Sequence, residues 1–151
     1  MTTDLRNYTM ARVALGRTGN APPLRETLAF QLAHARARDA VHHPFNAAAV
    51  AAEVNGIVLQ SAAKDRTEYL RRPDLGRRLQ VHAATVAFPP QHPSAVFILA
   101  DGLSPIAVER HAPALLRAVT PLLPEWALAQ PVIVEQGRVA IGDEIGQLLN
   151  A

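Results

Sequence analysis

The sequence predicts an α/β fold: an N-terminal helical portion followed by a truncated, Rossmann-like parallel-sheet portion. Two apolar, β-branched runs, residues 94–100 (SAVFILA) and 131–136 (PVIVEQ), have the composition of strands buried on both faces of a parallel sheet. A helical pattern follows each run, and this alternation is typical of a parallel sheet with crossover helices. We therefore expect a helical region over residues 1–56 and a partial α/β domain over residues 57–151.

The composition restricts the chemistry that the chain can perform. It has 151 residues, 49% of them hydrophobic and none of them cysteine, which excludes disulfides, thiol catalysis and cysteine-ligated metals. The net charge is only +2 and aromatic residues make up 5% of the chain, so the composition argues against nucleic-acid binding. No apolar run reaches the roughly 18 residues that a membrane helix needs, and the first ten residues lack a signal-peptide core. We expect a cytoplasmic protein without a membrane anchor.

Two helices are predicted in the N-terminal region. Pro22 and Pro23 suit the first turn of a helix, and apolar residues then recur three or four apart from Leu24 to about Val41. Asn46 is a good N-cap for a second helix that ends at Val54, where Asn55-Gly56 supplies a left-handed position.

The next stretch predicts a short strand, Ile57 to Gln60, and two helices. Asp65 opens a helical turn that must end before Pro73, because the residue before proline avoids helical geometry. A further helix is predicted from near Asp74 through Leu79 and Val81.

The C-terminal part predicts a strand–helix–strand–helix order. The run over 94–100 ends in Asp101-Gly102, and Ser104-Pro105 starts a helix to about Leu123 that Pro113 is expected to split. The strand over 131–136 precedes a last helix, Glu144 to Leu149. A crossover helix predicts a further strand after it, so we expect an unpaired sheet edge that another chain covers.

Common catalytic motifs are absent from the sequence. No Gly-x-Gly-x-x-Gly follows either strand, and Asp143 stands where a phosphate loop starting at Gly137 needs lysine. Ser104 fits a helix cap better than a nucleophile elbow. No two of the six histidines have the four-residue helical spacing of metal ligands, so we expect no metal site.

Two sites remain as candidates from the residues alone. Open parallel sheets bind ligands outside the carboxyl ends of their strands, which here carry Asp101-Gly102 and residues 136–139. Ordinary turn chemistry is the alternative for these positions. The second candidate is the cluster Arg71, Arg72, Arg77 and Arg78, whose guanidinium groups can bind a carboxylate or phosphate, pair with carboxylates of another chain, or form a solvated face.

Four segments in order, residues 11–41, 61–79, 98–104 and 134–149, resemble the small subunit of ethanolamine ammonia-lyase. The strings RPDLGRRL (72–79) and GRVAIGDEIG (137–146) are its most specific parts. The resemblance covers nearly the whole chain beyond Met10.

The resemblance implies a subunit of an adenosylcobalamin-dependent carbon–nitrogen lyase that converts ethanolamine to acetaldehyde and ammonia. In that family the large subunit holds the substrate, and the corrinoid lies between the two subunits. It implies a hetero-oligomer with the large subunit, radical chemistry carried by the shared cofactor, and no catalytic residue in this chain. The family's cobalamin contact in a Gly-Arg-Val turn corresponds to Val139, with Gly137 and Arg138 beside it.

Further cofactor contacts of the family, a glutamate and a cysteine, are expected C-terminal to Ala151. We therefore expect a truncated small subunit that is inactive alone. The alternative is a truncated, cofactor-free interaction or assembly module that retains the arginine cluster as its docking surface. The resemblance also implies association with a bacterial microcompartment.

Overall fold

The computed structural model describes residues 4–80 and 93–149. These residues fall into two compact units, Met1–Asp39 and Ala40–Ala151. The boundary expected from the sequence, between residues 56 and 57, stays a prediction.

The first unit contains a loop and most of one long helix. Asp4 caps a single 3₁₀ turn, Leu5–Asn7, by accepting a hydrogen bond from the Arg6 amide. The helix α1, Leu24–His42, begins after the proline pair as predicted and buries no side chain. Its leucine stripe is exposed, so helix propensity and local pairs such as the Arg12 guanidinium over the Phe30 ring (5.5 Å) stabilise this region.

The described residues of the second unit contain the end of α1, four further α-helices and three strands. Asn46, Asp65 and Ser104 cap their helices through side-chain oxygens that accept backbone N–H groups. In chain order the elements are α2 (Ala47–Val54), β1 (Ile57–Gln60), α3 (Arg66–Arg71), β2 (Ile98–Ala100), α4 (Pro105–Val119), β3 (Val132–Glu135) and α5 (Ile141–Leu149).

The three strands form a parallel sheet in the order β1-β3-β2. Leu59 and Ala100 both pair with Val134, which fixes the register across the sheet. Because successive residues point to opposite faces, Val132 and Val134 pack against α5 while Ile133 packs against α2. All three of these β3 residues are fully buried, as the apolar run predicts. The predicted α/β class is confirmed.

Three sequence-predicted elements differ in the structure. The strand expected over 94–100 is regular only at Ile98–Ala100. The helix α4 runs through Pro113 without a break; the proline ring is fully buried, and its packing offsets the missing hydrogen bond. The last helix begins earlier than expected, at Ile141.

The prediction of a helix from Asp74 through Leu79 is wrong. Only a 3₁₀ turn, Leu75–Arg77, forms, and Asp74 makes no side-chain cap. The backbone beyond it is extended because it pairs with the end of β1: Ala62 donates to the Arg78 carbonyl and Gln80 donates to the Gln60 carbonyl. The predicted end of that helix, Val81, lies outside the described residues.

The described helices give no sign of a membrane span. No helix within residues 4–80 and 93–149 is both long enough and apolar enough to cross a bilayer. The expected location, in the cytoplasm or a microcompartment, stays a prediction.

A glycine substitution tests the packing between α2 and the sheet. A Cβ at Gly56 would collide with the Ile133 side chain and approach the Pro131 carbonyl oxygen to 2.9 Å. We expect Gly56→Ala to lower the free energy of unfolding by about 2 kcal/mol. A Cβ at Gly146, inside α5, would meet nothing within 4 Å, so Gly146→Ala should raise it by about 0.5–1 kcal/mol. Urea unfolding of both variants measures this, and equal effects would contradict the packing described.

Candidate functional site

A crevice of about 660 Å³ lies where β2 and β3 end. Its volume is within the range of small-molecule sites, and its position is the carboxyl edge of a parallel sheet, where ligands bind in open α/β folds. We call it the carboxyl-edge crevice. It is lined by Tyr69, Ile98, Ala100, Gly102, Leu103, Gly137, Arg138, Val139, Ile141 and Gly142.

Backbone rather than side chains forms part of the crevice wall. Gly137 is buried, and a Cβ there would lie 2.9 Å from Val134 Cγ1 and 3.0 Å from Ala100 Cβ. Gly102 has a φ of +45°, a conformation that L side chains rarely adopt. Glycine is therefore required at Gly137 for close packing against Val134 and Ala100, and at Gly102 for backbone geometry.

Two apolar side chains at the crevice are turned to solvent. Val139 is 99% exposed and Leu103 is 65% exposed. Together with the crevice they present apolar surface of the kind that marks an interaction site. The turn Gly137–Val139, predicted from the sequence, therefore has the accessibility that a ligand contact needs.

Arg138 spans from the turn to α3. Its backbone N–H donates to the Gly76 carbonyl (2.7 Å), and its Nη2 donates to the Tyr69 carbonyl (3.0 Å). Its guanidinium carbon lies 4.4 Å from the centre of the Tyr69 ring. Arg138 Nε is buried and has no hydrogen-bond acceptor among the described residues. The π face of the Tyr69 ring therefore offsets part of the cost of burying the guanidinium.

A buried carboxylate supports the turn from below. Asp101, 1% exposed, accepts the Gly137 N–H on Oδ1 (3.2 Å) and faces Arg66 Nη1 across 3.4 Å on Oδ2. Burial raises the pKa of Asp101, while backbone hydrogen bonds and the Arg66 charge act in the opposite direction. Burial, and then the Asp101 charge, also raise the pKa of Glu135.

Arg66 and Tyr69 belong to this site and were not singled out from the sequence. Arg66 donates to four acceptors: Asp101, the Gln136 side chain, the Gly102 carbonyl and the Val41 carbonyl. One signal was available, because a cation in the first turn of a helix opposes the helix dipole and therefore needs another reason to be there.

The arginine cluster lies on an exposed bend, residues 71–78, here called the arginine bend. Arg72 forms a two-pronged pair with Asp74 (3.0 and 2.7 Å), whereas Arg71, Arg77 and Arg78 have no carboxylate within 4 Å in the described part of the chain. The bend packs on the turn through buried Gly76, whose carbonyl accepts the Arg138 N–H. The structure therefore joins the two candidate sites of the sequence.

The described residues contain no group of three or more histidine, cysteine, aspartate or glutamate side chains that could hold a metal ion. Of the histidines, His43 lies 3.7 Å from Glu109, and His82 and His92 fall outside the described residues. The geometry defines an α/β protein whose carboxyl-edge crevice is built from glycine-containing turns and an exposed apolar rim.

Comparison with known proteins identifies the family. The family model described as Ethanolamine ammonia-lyase light chain (EutC) matches residues 1–151. Proteins named ethanolamine ammonia-lyase small subunit are 52% identical in Pseudomonas fluorescens (strain Pf0-1), 50% in Azotobacter vinelandii and 47% in Ralstonia nicotianae. The chain belongs to the ethanolamine ammonia-lyase light chain family, which confirms the resemblance found in the sequence.

The matches cover nearly all of this chain and part of each relative. They include 98%, 98% and 97% of the chain but 58%, 59% and 59% of the respective relatives. The chain thus spans about three fifths of the length of the curated relatives it matches.

The two shifted aspartates should change the pH dependence of stability in opposite directions. The pKa of Asp101 is raised, so its contribution to stability is largest at low pH and is lost as pH rises from about 4 through the folded pKa. The pKa of Asp74 is lowered by Arg72, so its contribution is present above about pH 4 and is lost as pH falls.

The matched variants are Asp101→Asn and Asp74→Asn. The free energy of unfolding, measured with urea between about pH 4 and pH 7, should fall relative to Asp101→Asn as pH rises. Relative to Asp74→Asn it should increase as pH rises through the range below about pH 4 and then stay level, so that comparison is extended down to about pH 2. Differences of the same sign in both comparisons would show that Asp101 is not buried as described.

Proposed function

We propose that this chain serves in the small subunit of an adenosylcobalamin-dependent ethanolamine ammonia-lyase, where it covers the corrinoid at the interface with the large subunit. The enzyme would convert ethanolamine to acetaldehyde and ammonia. The observation that carries the proposal is the Gly137–Val139 turn: it lines the crevice and exposes Val139 almost completely, in a chain of this family.

The crevice fits one wall of a corrinoid site. Its lining is mostly apolar, which suits the faces of a flat macrocycle, and Gly102 contributes backbone without a side chain to the same lining. The Arg138 side chain lines the same crevice and donates to only one carbonyl among the described residues. Apart from the buried Nε–H, the N–H groups that it leaves unbonded would suit the amide carbonyls at the edge of a corrin. A volume of about 660 Å³ accommodates part of such a ligand, as expected for a shared pocket.

The protein residues would bind, orient and shield. When bound, adenosylcobalamin would supply the radical chemistry of the reaction. Val139 and Leu103 would exclude water from the covered face, since reactive intermediates must be kept from solvent. Gly137, held by Asp101, would keep the turn at a fixed distance from the ring.

The large subunit is the proposed partner, and the arginine bend is the proposed contact. Arg71, Arg77 and Arg78 are exposed and lack carboxylate partners among the described residues, so they can pair with acidic groups of another chain. This observation also supports the second candidate function, a cofactor-free interaction module, because docking through the bend needs no corrinoid.

Corrinoid capture tests the crevice. The chain is mixed with the large subunit and adenosylcobalamin, unbound corrinoid is removed, and the visible spectrum reports the corrinoid retained. Val139→Asp should reduce retention at least tenfold, because a carboxylate would have to lose its hydration against an apolar ring. The matched control, Leu115→Asp on the exposed side of α4, should retain corrinoid normally. Equal retention by Val139→Asp would reject the crevice as the corrinoid site.

Charge reversal tests the arginine bend. Arg77→Glu combined with Arg78→Glu should weaken association with the large subunit at least tenfold, since opposite charges become like charges at the contact. Arg36→Glu with Arg38→Glu on α1 makes the same change in net charge elsewhere. Light scattering measures association with the large subunit, and circular dichroism of the free chain measures folding. The two measurements together separate a loss of docking from a loss of structure. A normal complex would reject the bend as the contact, and complex formation without turnover by the unaltered chain would favour the interaction module.

A further inference from the structure

Arg66 joins α3 to three other segments of the chain at the carboxyl edge of the sheet. Its Nη1 donates to Asp101 Oδ2 (3.4 Å) and Gln136 Oε1 (3.3 Å). Its Nη2 donates to the Gly102 carbonyl and its Nε to the Val41 carbonyl, both at 2.6 Å. The side chain is only 14% exposed, so these bonds form largely away from water.

Two routes lead from Arg66 to the Gly137–Val139 turn. Through Asp101, it is connected to the Gly137 N–H, which donates to the other oxygen of the same carboxylate. Through Tyr69, it is connected to Arg138: the ring lies between the two guanidinium groups, 4.6 Å from Arg66 and 4.4 Å from Arg138. Tyr69 is buried, which keeps this stack rigid.

The residue that begins the turn is held in an unfavourable conformation. Gln136 has a φ of +55°, in the left-handed region that non-glycine residues occupy at an energetic cost. Its side-chain amide oxygen accepts a hydrogen bond from Arg66. The bond therefore supports the backbone geometry with which the Gly137–Val139 turn lines the crevice.

Arg66 itself is not among the residues that line the crevice. We infer that Arg66 is a positioning residue: it sets the conformation of the Gly137–Val139 turn and thereby the affinity of the crevice for its ligand. The part of this inference that concerns affinity rests on the proposed function. The part that concerns the turn stands on the hydrogen bonds alone.

The test replaces Arg66 by lysine. Lysine keeps the positive charge but cannot reach four acceptors with the planar fork of arginine. The matched control is Arg117→Lys, because Arg117 makes an exposed pair with Glu53 at 2.8 Å on α4. The Gln136→Ala variant removes only the amide that Arg66 holds.

The first measurement is amide hydrogen exchange in the 151-residue chain. The Gly137 N–H, bonded to Asp101, is compared with the Gly56 N–H, bonded to the Ala51 carbonyl. Arg66→Lys should speed exchange at Gly137 at least tenfold and leave Gly56 within twofold, whereas Arg117→Lys should change neither. Unchanged exchange at Gly137 overturns the inference. If Arg66→Lys unfolds the chain, seen as equal acceleration at both glycines, Gln136→Ala decides by the same comparison.

The second measurement separates positioning from a general structural role. In the complex with the large subunit, Arg66→Lys should weaken adenosylcobalamin binding about tenfold while subunit association stays within twofold. Adding Gln136→Gly to Arg66→Lys should restore part of the affinity, because glycine adopts the left-handed conformation without support. Faster Gly137 exchange with unchanged affinity overturns Arg66 as a positioning residue. Absence of corrinoid binding in the unaltered complex overturns the proposed function instead, and the exchange data then decide the hold of Arg66 on the turn.

Discussion

The site depends on the compensation of one buried carboxylate. Asp101 follows β2 directly, and its burial at the end of the sheet would be costly without partners for both oxygens. One oxygen receives the Gly137 N–H and the other faces Arg66. Because these partners come from the end of β3 and the start of α3, satisfying the carboxylate brings both elements to the place where the crevice forms.

Patterns local to one segment were predictable from the sequence. The caps Asn46, Asp65 and Ser104, the buried strand β3 and the position of Gly137–Val139 at its end all follow from neighbouring residues. The helix predicted from Asp74 failed for the opposite reason, since its residues pair with β1, which lies distant in the chain. The part played by Arg66 could not be predicted either, because its four acceptors lie between 25 and 70 residues away.

The polar side chains around the crevice are largely used within the protein. They hold backbone groups: Asp101 accepts the Gly137 N–H, Arg66 donates to the Gly102 carbonyl, and Arg138 donates to the Tyr69 carbonyl. Such groups are already committed to hydrogen bonds within the protein. The surface that they leave for a ligand consists of peptide groups, apolar side chains and part of one guanidinium.

The carbonyl of Gly76 has a further consequence. It belongs to the arginine bend, yet it accepts the backbone N–H of Arg138 in the turn at the crevice, and Gly76 itself is buried between them. The two segments are therefore in direct contact through this hydrogen bond. If the bend docks and the turn holds a ligand, the two binding events share one free energy of coupling, so each must strengthen or weaken the other by the same factor.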